Sequence, residues 1–286
     1  MTPYLDLVQK TLALRQAGRE LPLGGFPPAP RVQIPPNAPT VLLFSPHPDD
    51  ECIVGGLALR LLRESQWRVI NVAVTQGSRK DRQAGRYAEL DAACRFLQFD
   101  LVPTAPGGLE KVNPKSRASD PDSWRASVGI VSRILSEHRP RVVFFPHELD
   151  WNSTHIGTHH LVVDALGTLP AGGPPIFVVE TEFWGQMPTP NLMVESPAED
   201  VADLMAACSF HVGEVQRNPY HLSQTAWMQD NVRRGGELVG GQGGAAPDYP
   251  FATLYRLRRW QDGALTPFYS GGRLLPATEN PASLFA

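Results

Sequence analysis

A rhythm of short apolar runs constrains this chain more than any other feature. Val41–Ser45 (VLLFS), Arg68–Thr75 (RVINVAVT), Arg141–Phe145 (RVVFF) and Ile176–Glu182 (IFVVETE) are rich in Val, Ile and Phe and hardly alternate with polar residues. A strand that is apolar on both sides must be covered on both faces, as in parallel sheets. Helical patterns fill the gaps, at about residues 54–64, 82–97, 123–138 and 157–169. Leu101–Thr104 fits one more short strand. This alternation predicts an α/β fold, Rossmann-like, with a mostly parallel sheet and helices on both faces. Beyond residue 190 the rhythm fades. Residues 198–216 and 222–234 still pattern as helices, and Phe251–Arg256 as a late strand.

Two segments interrupt the rhythm. Before it, residues 4–19 place Leu5, Val8, Leu12 and Leu14 near a helical spacing, which predicts a short amphipathic helix. Seven prolines then fall between Pro22 and Pro39. Proline lacks the N–H that helix and sheet ladders need, so this stretch reads as an extended arm on the domain surface or as a loose tether. Late in the chain, Gly235–Pro247 (GGELVGGQGGAAP) is too glycine-rich for regular structure. No strand precedes its G-Q-G-G-A-A and a proline follows, so a dinucleotide fingerprint is excluded and a mobile loop or lid is expected.

Composition removes several functions. Twenty-six basic residues against 29 acidic ones give no electrostatic footprint for nucleic acid. No run approaches the roughly 18 apolar residues of a membrane span, so no transmembrane anchor is expected. Asp6, Lys10, Arg15, Arg19 and Glu20 break up any signal-peptide core. Cys52, Cys94 and Cys208 are odd in number and far apart, which argues against a disulfide framework and favours a reducing, cytoplasmic setting.

The chemistry concentrates at two strand ends. Ser45-Pro46-His47-Pro48-Asp49-Asp50-Glu51 follows the first apolar strand, where ligands bind in open parallel sheets. Two adjacent carboxylates share one crevice only when a proton or a cation separates them. The plain alternative is a capped turn, with Asp49 or Asp50 as N-cap and Glu51 in the first helical turn. The second stretch, Pro146–His160, also begins where an apolar strand ends. It holds His147, His155, His159 and His160, four of the chain's eight histidines. Two strand ends of one parallel sheet, each offering His and carboxylate, can converge on one ion, and zinc accepts both ligand types.

PHPDDE, with a strand before it and Gly55-Gly56 after it, resembles the signature of the PIG-L/LmbE family of zinc-dependent N-acetylglucosamine deacetylases. Asp150-Trp151-Asn152-Ser153-Thr154-His155 looks like that family's second metal motif. Thr75-Gln76-Gly77, Arg86-x-x-Glu89 and Ala206-x-x-x-x-His211 also resemble family features. The resemblance covers residues 40–170 best. It implies His47, Asp50 and His155 as ligands of Zn2+ or another divalent cation, with Asp49 as general base. Three protein ligands leave a position open, as in catalytic rather than structural zinc sites. The family often has a histidine three residues before its last ligand, and Asn152 stands there instead. An amide can donate to an oxyanion but cannot hand a proton to a leaving amine, so the donor falls to Asp49, His147 or His211.

The function this implies is removal of the acetyl group from an N-acetylglucosamine-type amino sugar, a small-molecule conjugate, by water activated at the metal. A hydratase or another amidase on the same scaffold, and a catalytically inactive zinc-binding protein, are the alternatives. Arg86 is expected to reach the substrate or to pair with Glu89. Trp151 is expected to stack on the sugar or to pack as core. Glu51 and Asp150 are expected behind the ligands, Asp150 orienting a histidine or lying in a surface loop. Residues 1–39 form the helix and arm in this reading. Residues 40–286 form one domain whose part from 190 onward shapes the substrate site. Homo-oligomer formation is left open.

Overall fold

A computed structural model describes residues 2–28 and 30–286. In chain order the elements are α1 (Tyr4–Gly18), β1 (Thr40–Ser45), α2 (Leu57–Ser65), β2 (Arg68–Ala73), α3 (Lys80–Leu97), β3 (Asp100–Pro103), α4 (Pro114–Ser119), α5 (Pro121–His138), β4 (Val142–Pro146), α6 (Ser153–Leu166) and β5 (Ile176–Thr181). The second part adds β6 (Leu192–Glu195), α7 (Ala198–Ser209), α8 (Val212–Val215), α9 (Gln224–Leu238), β7 (Ala252–Gln261), β8 (Ala264–Pro267) and β9 (Arg273–Leu275).

The expected α/β fold is present. One sheet runs in the order β3-β2-β1-β4-β5-β7-β6-β9, with β8 on β7. The first five strands are parallel neighbours, and β7 joins them antiparallel to β5. Strand alternation divides the core. Val41, Leu43, Val142 and Phe144 face one layer, covered by α2, α3 and α7. Leu42, Phe44, Val143 and Phe145 face the other, covered by α5 and α6. Both faces are buried, so these strands carry few polar residues. Chain order reverses at β1, between β2 and β4, and the two histidine-bearing loops leave the sheet there.

Several boundaries differ from the sequence reading. Helix α2 starts at Leu57, not near Val54, because a short 3-10 turn, Asp50–Cys52, and Gly55 intervene. Gly55 has φ +85°, and a Cβ there would lie 2.3 Å from the Thr253 hydroxyl and 2.5 Å from that of Tyr255. Only glycine fits, and the close approach locks the loop after β1 onto β7. Helix α9 runs through Gly235 into the glycine-rich stretch. A side chain at Gly235 would strike Met193 Sδ at 2.5 Å, so glycine here lets the helix sit directly on β6 and β7. The following loop folds back onto α9, with Gly244 close against the Gly236 carbonyl.

Helix α1 forms but buries none of its residues. At 3.6 residues per turn, Leu7 and Leu14 point away from Leu5, Val8 and Leu12, so no single apolar stripe exists to dock. The proline-rich stretch lies on the domain. Phe26 packs on Phe96 and Phe210, the Gly24 N–H donates to Ser209 Oγ, and the Val32 N–H donates to Gln98 Oε1. All three cysteines are free and buried. Among the described residues, no helix is long and apolar enough to cross a membrane.

Candidate metal centre

The loop after β1 is short and stiff. Pro46 and Pro48 fix two φ angles, and Asp49 is held at φ +116°, a region L-residues rarely enter. Such a conformation costs on the order of 1–3 kcal/mol and persists only when neighbours enforce it. Here they do. The Asp49 N–H donates to Glu51 Oε2 at 3.0 Å, and Tyr220 Oη donates to Asp49 Oδ2 at 2.5 Å. The Thr75 hydroxyl, just past β2, donates to the Pro46 carbonyl at 2.7 Å and ties the two loops together. Asp50 does not cap a helix. Its Oδ2 accepts from the His47 N–H at 2.8 Å while facing two imidazoles.

Those imidazoles come from different elements, His47 from the loop after β1 and His155 from the first turn of α6. His47 Nδ1 and His155 Nε2 lie 3.2 Å apart, and Asp50 Oδ2 is 3.4 Å from the first and 3.3 Å from the second. A tetrahedral ion with bonds of about 2.0–2.1 Å requires ligand atoms roughly 3.3–3.4 Å apart. The triangle therefore fits such an ion, with one face left open. Behind it, Asp150 Oδ1 lies 3.6 Å from His155 Nδ1, a nitrogen without a hydrogen-bond partner. Asp150 is itself held by the N–H groups of Asn152, Trp184 and Gly185. It thus faces the His155 ring from the side opposite Nε2, just beyond hydrogen-bond distance. Burial and then the neighbouring charge of Asp50 push the Asp49 carboxyl up to about 6, against the pull of His211, Tyr220 and Arg86. Burial also acts on Asp50, but the two histidines outweigh it and hold that carboxyl below its ordinary range.

Residues 42–166 match the profile of the family described as PIG-L, GlcNAc-PI de-N-acetylase. Over that stretch the chain is PIG-L/LmbE-like. No curated protein sequence matches it. Its fold is similar to that of N,N'-diacetylchitobiose deacetylase from Pyrococcus horikoshii, with 18% identity, 81% of this chain and 88% of that one covered, and a TM-score of 0.57. A pseudoaglycone deacetylase for an antimicrobial reagent gives 15% identity, 78% and 98% coverage, and a TM-score of 0.57. The 4-carboxy-2-hydroxymuconate hydratase from Pseudomonas putida gives 16%, 77% and 95%, and 0.53. At such identities the likeness is one of fold.

Other residues of this PIG-L/LmbE-like site fall into place around the triangle. Asn152 caps α6, its Oδ1 accepting from the Thr154 N–H at 2.8 Å, which leaves its amide N–H free to donate. Arg86 does not pair with Glu89. Its guanidinium donates to the Pro48 carbonyl at 2.9 Å and stands 3.9 Å from Asp49, while Glu89 accepts from the Gly213 N–H. Trp151 is 86% exposed and belongs to no core. Glu51 is fully buried, with Oε1 2.6 Å from His211 Nε2. His147 donates from Nε2 to the Gly185 carbonyl and accepts the Leu149 N–H at Nδ1, so neither nitrogen is available to a substrate.

One residue escapes a reading of the motifs. Tyr220 reaches Asp49 from the segment after α8, 171 positions away, and no local pattern marks it. His211, only faintly signalled, is fully buried, and its Nδ1 has no partner. Burial drives its proton affinity down, but the Glu51 carboxylate more than reverses this and raises it.

Proposed function

We propose that this protein is a metal-dependent hydrolase that removes the acetyl group from an N-acetylated amino sugar of the N-acetylglucosamine type. The observation that carries the reading is the division of labour between adjacent aspartates. Asp50 lies in the triangle with His47 and His155, whereas Asp49 is turned out of it and hydrogen-bonded to Tyr220. A protein that only holds an ion has no use for the second carboxylate. The family match and the two deacetylase neighbours support the same chemistry.

His47, Asp50 and His155 would hold a divalent ion, Zn2+ by the donor set. When bound, the ion polarises the amide carbonyl and makes water more acidic. Asp49 takes the proton from the attacking water, and its raised affinity suits that task near neutrality. Asn152, fixed by its helix cap, donates from its amide to the developing oxyanion. His211, kept protonated by Glu51, supplies the proton the leaving amine needs. Arg86 holds the Pro48 carbonyl and so the posture of Asp49.

The hydratase neighbour shows that this fold also carries water addition, so the assay must identify products. Acetate and a free amine released from N-acetylglucosaminides, abolished by chelator and restored by zinc, is the expected result. Activity that survives full metal removal, or product without acetate, overturns it.

A further inference from the structure

Two compartments of different character lie beside the triangle, the first lined in part by His47 and the second by neighbours of the triangle. One, about 380 Å³, is lined by His47, Thr75, Gln83 and Asn113, whose polar groups suit hydroxyls, together with Leu109 and Val112. The other, about 200 Å³, is walled by Ile53, Phe183, Trp184, Tyr220 and Trp227, with Ser223 and Gln224 as its polar members. Its walls touch the reacting groups. Tyr220 donates to Asp49, and the Phe183 ring stands edge-on to the His155 ring, centroids 4.9 Å apart. Trp184 packs edge-on against Tyr220 at 5.8 Å. Gln224 is 3% exposed, and neither Oε1 nor Nε2 has a partner.

An acetyl group would leave most of this aromatic compartment empty. A pyranose would leave several hydroxyls unpaired against mainly apolar walls whose polar groups are few, chiefly Ser223 and Gln224. A cavity of about 150 Å³ accepts a benzene ring, so this one has room for a phenyl group or a short alkyl chain. We propose that the aromatic compartment binds a phenyl-sized apolar group carried by the same molecule as the scissile amide, with Gln224 bonding the polar atom through which that group is attached. The proposal rests on the amide-hydrolase reading above. The apolar group arrives either as the aglycone, on the sugar side, or as an extended acyl group, on the carbonyl side.

The test compares metal-loaded, full-length protein on methyl N-acetyl-β-glucosaminide, its phenyl glycoside counterpart, and methyl N-benzoyl-β-glucosaminide. At least one phenyl-bearing substrate should exceed the methyl glycoside about tenfold in kcat/KM, mainly through KM. Which one does so identifies the side. Trp227→Ala should erase that preference and leave the methyl glycoside unchanged, and Trp227→Phe should keep most of it. Trp184→Ala, on an exposed wall, repeats the test if Trp227→Ala fails to fold. Equal kcat/KM on all three, or an equal loss on all three in the variants, overturns the proposal. If no amide is cleaved, the deacetylase reading falls, and calorimetry judges the compartment alone. Phenyl β-glucosaminide or N-benzoylglucosamine should then bind about tenfold more tightly than methyl β-glucosaminide, with the gain lost in Trp227→Ala; equal binding overturns the compartment too.

Discussion

His47, Asp50 and His155, around the loop after β1, and Glu148, His159 and Glu180, around the ends of β4 and β5, are built from the same residue types. Each set brings its ligand atoms within 4.8 Å of one another. Their surroundings differ. Arg256 donates to both Glu148 and Glu180, and Arg258 donates to Glu180, so two guanidiniums match two carboxylates. His159 donates from Nδ1 to the Pro146 carbonyl at 3.0 Å and packs on the Phe145 ring. Nothing there calls for an ion. Around Asp50, by contrast, Asp49, Glu51 and Asp150 add three further buried carboxylates, opposed by Arg86 and His211. In this set the carboxylates outnumber the cationic groups that face them, whereas in the other they are matched. Clustered acids and histidines thus signify little until the nearby cations are counted.

The largest effect should come from the histidines. His155→Ala should lose both bound metal and acetate release, whereas His159→Ala, one helical turn along α6, should keep its metal. Metal analysis of the purified variants decides it, and the reverse result would move the centre to the arginine-bridged cluster. Asp49→Asn comes next. It should retain metal yet lose about 10²–10⁴ in kcat. A near-wild-type rate would take Asp49 out of the base role and leave its strained backbone without a catalytic reason. Asp150→Ala should weaken metal affinity about 10–100-fold by freeing the His155 ring, read by competition with a chelating dye.

What the sequence discloses follows the same physics. Strands β1, β2, β4 and β5 are legible because burial on both faces strips them of polar residues. Strands β6, β8 and β9 are three or four residues long and carry no such pattern. His47, Asp49 and Asp50 stand out because a histidine and two adjacent carboxylates crowd one tight, proline-stiffened turn. His155 stands out only among its clustered neighbours. Tyr220 and His211 reach Asp49 and Glu51 across 171 and 160 positions, contacts made by tertiary packing alone. Gly235 reads as a loop residue by propensity, yet packing against Met193 makes it helical.

The smallest effect probes the other cluster. Burial raises the proton affinity of the Glu148 carboxyl, but a backbone hydrogen bond and Arg256 outweigh it and hold the group at about 2, below its ordinary 4.5. A carboxyl depressed on folding contributes stability that is fully present above its unfolded value and is lost as pH falls through its folded one. That contribution should therefore be complete above about pH 4.5 and gone near pH 2. Because the pair is partly exposed, solvent screening reduces it to about 1 kcal/mol. Glu148→Gln should accordingly be about 1 kcal/mol less stable than wild type in urea at pH 7, and the difference should close as the pH approaches 2. Metal content and kcat should not change. A loss of metal in this variant would mean that the arginine-bridged cluster and the ion site are one system. An undiminished stability gap at low pH would mean that Glu148 acts through packing rather than charge.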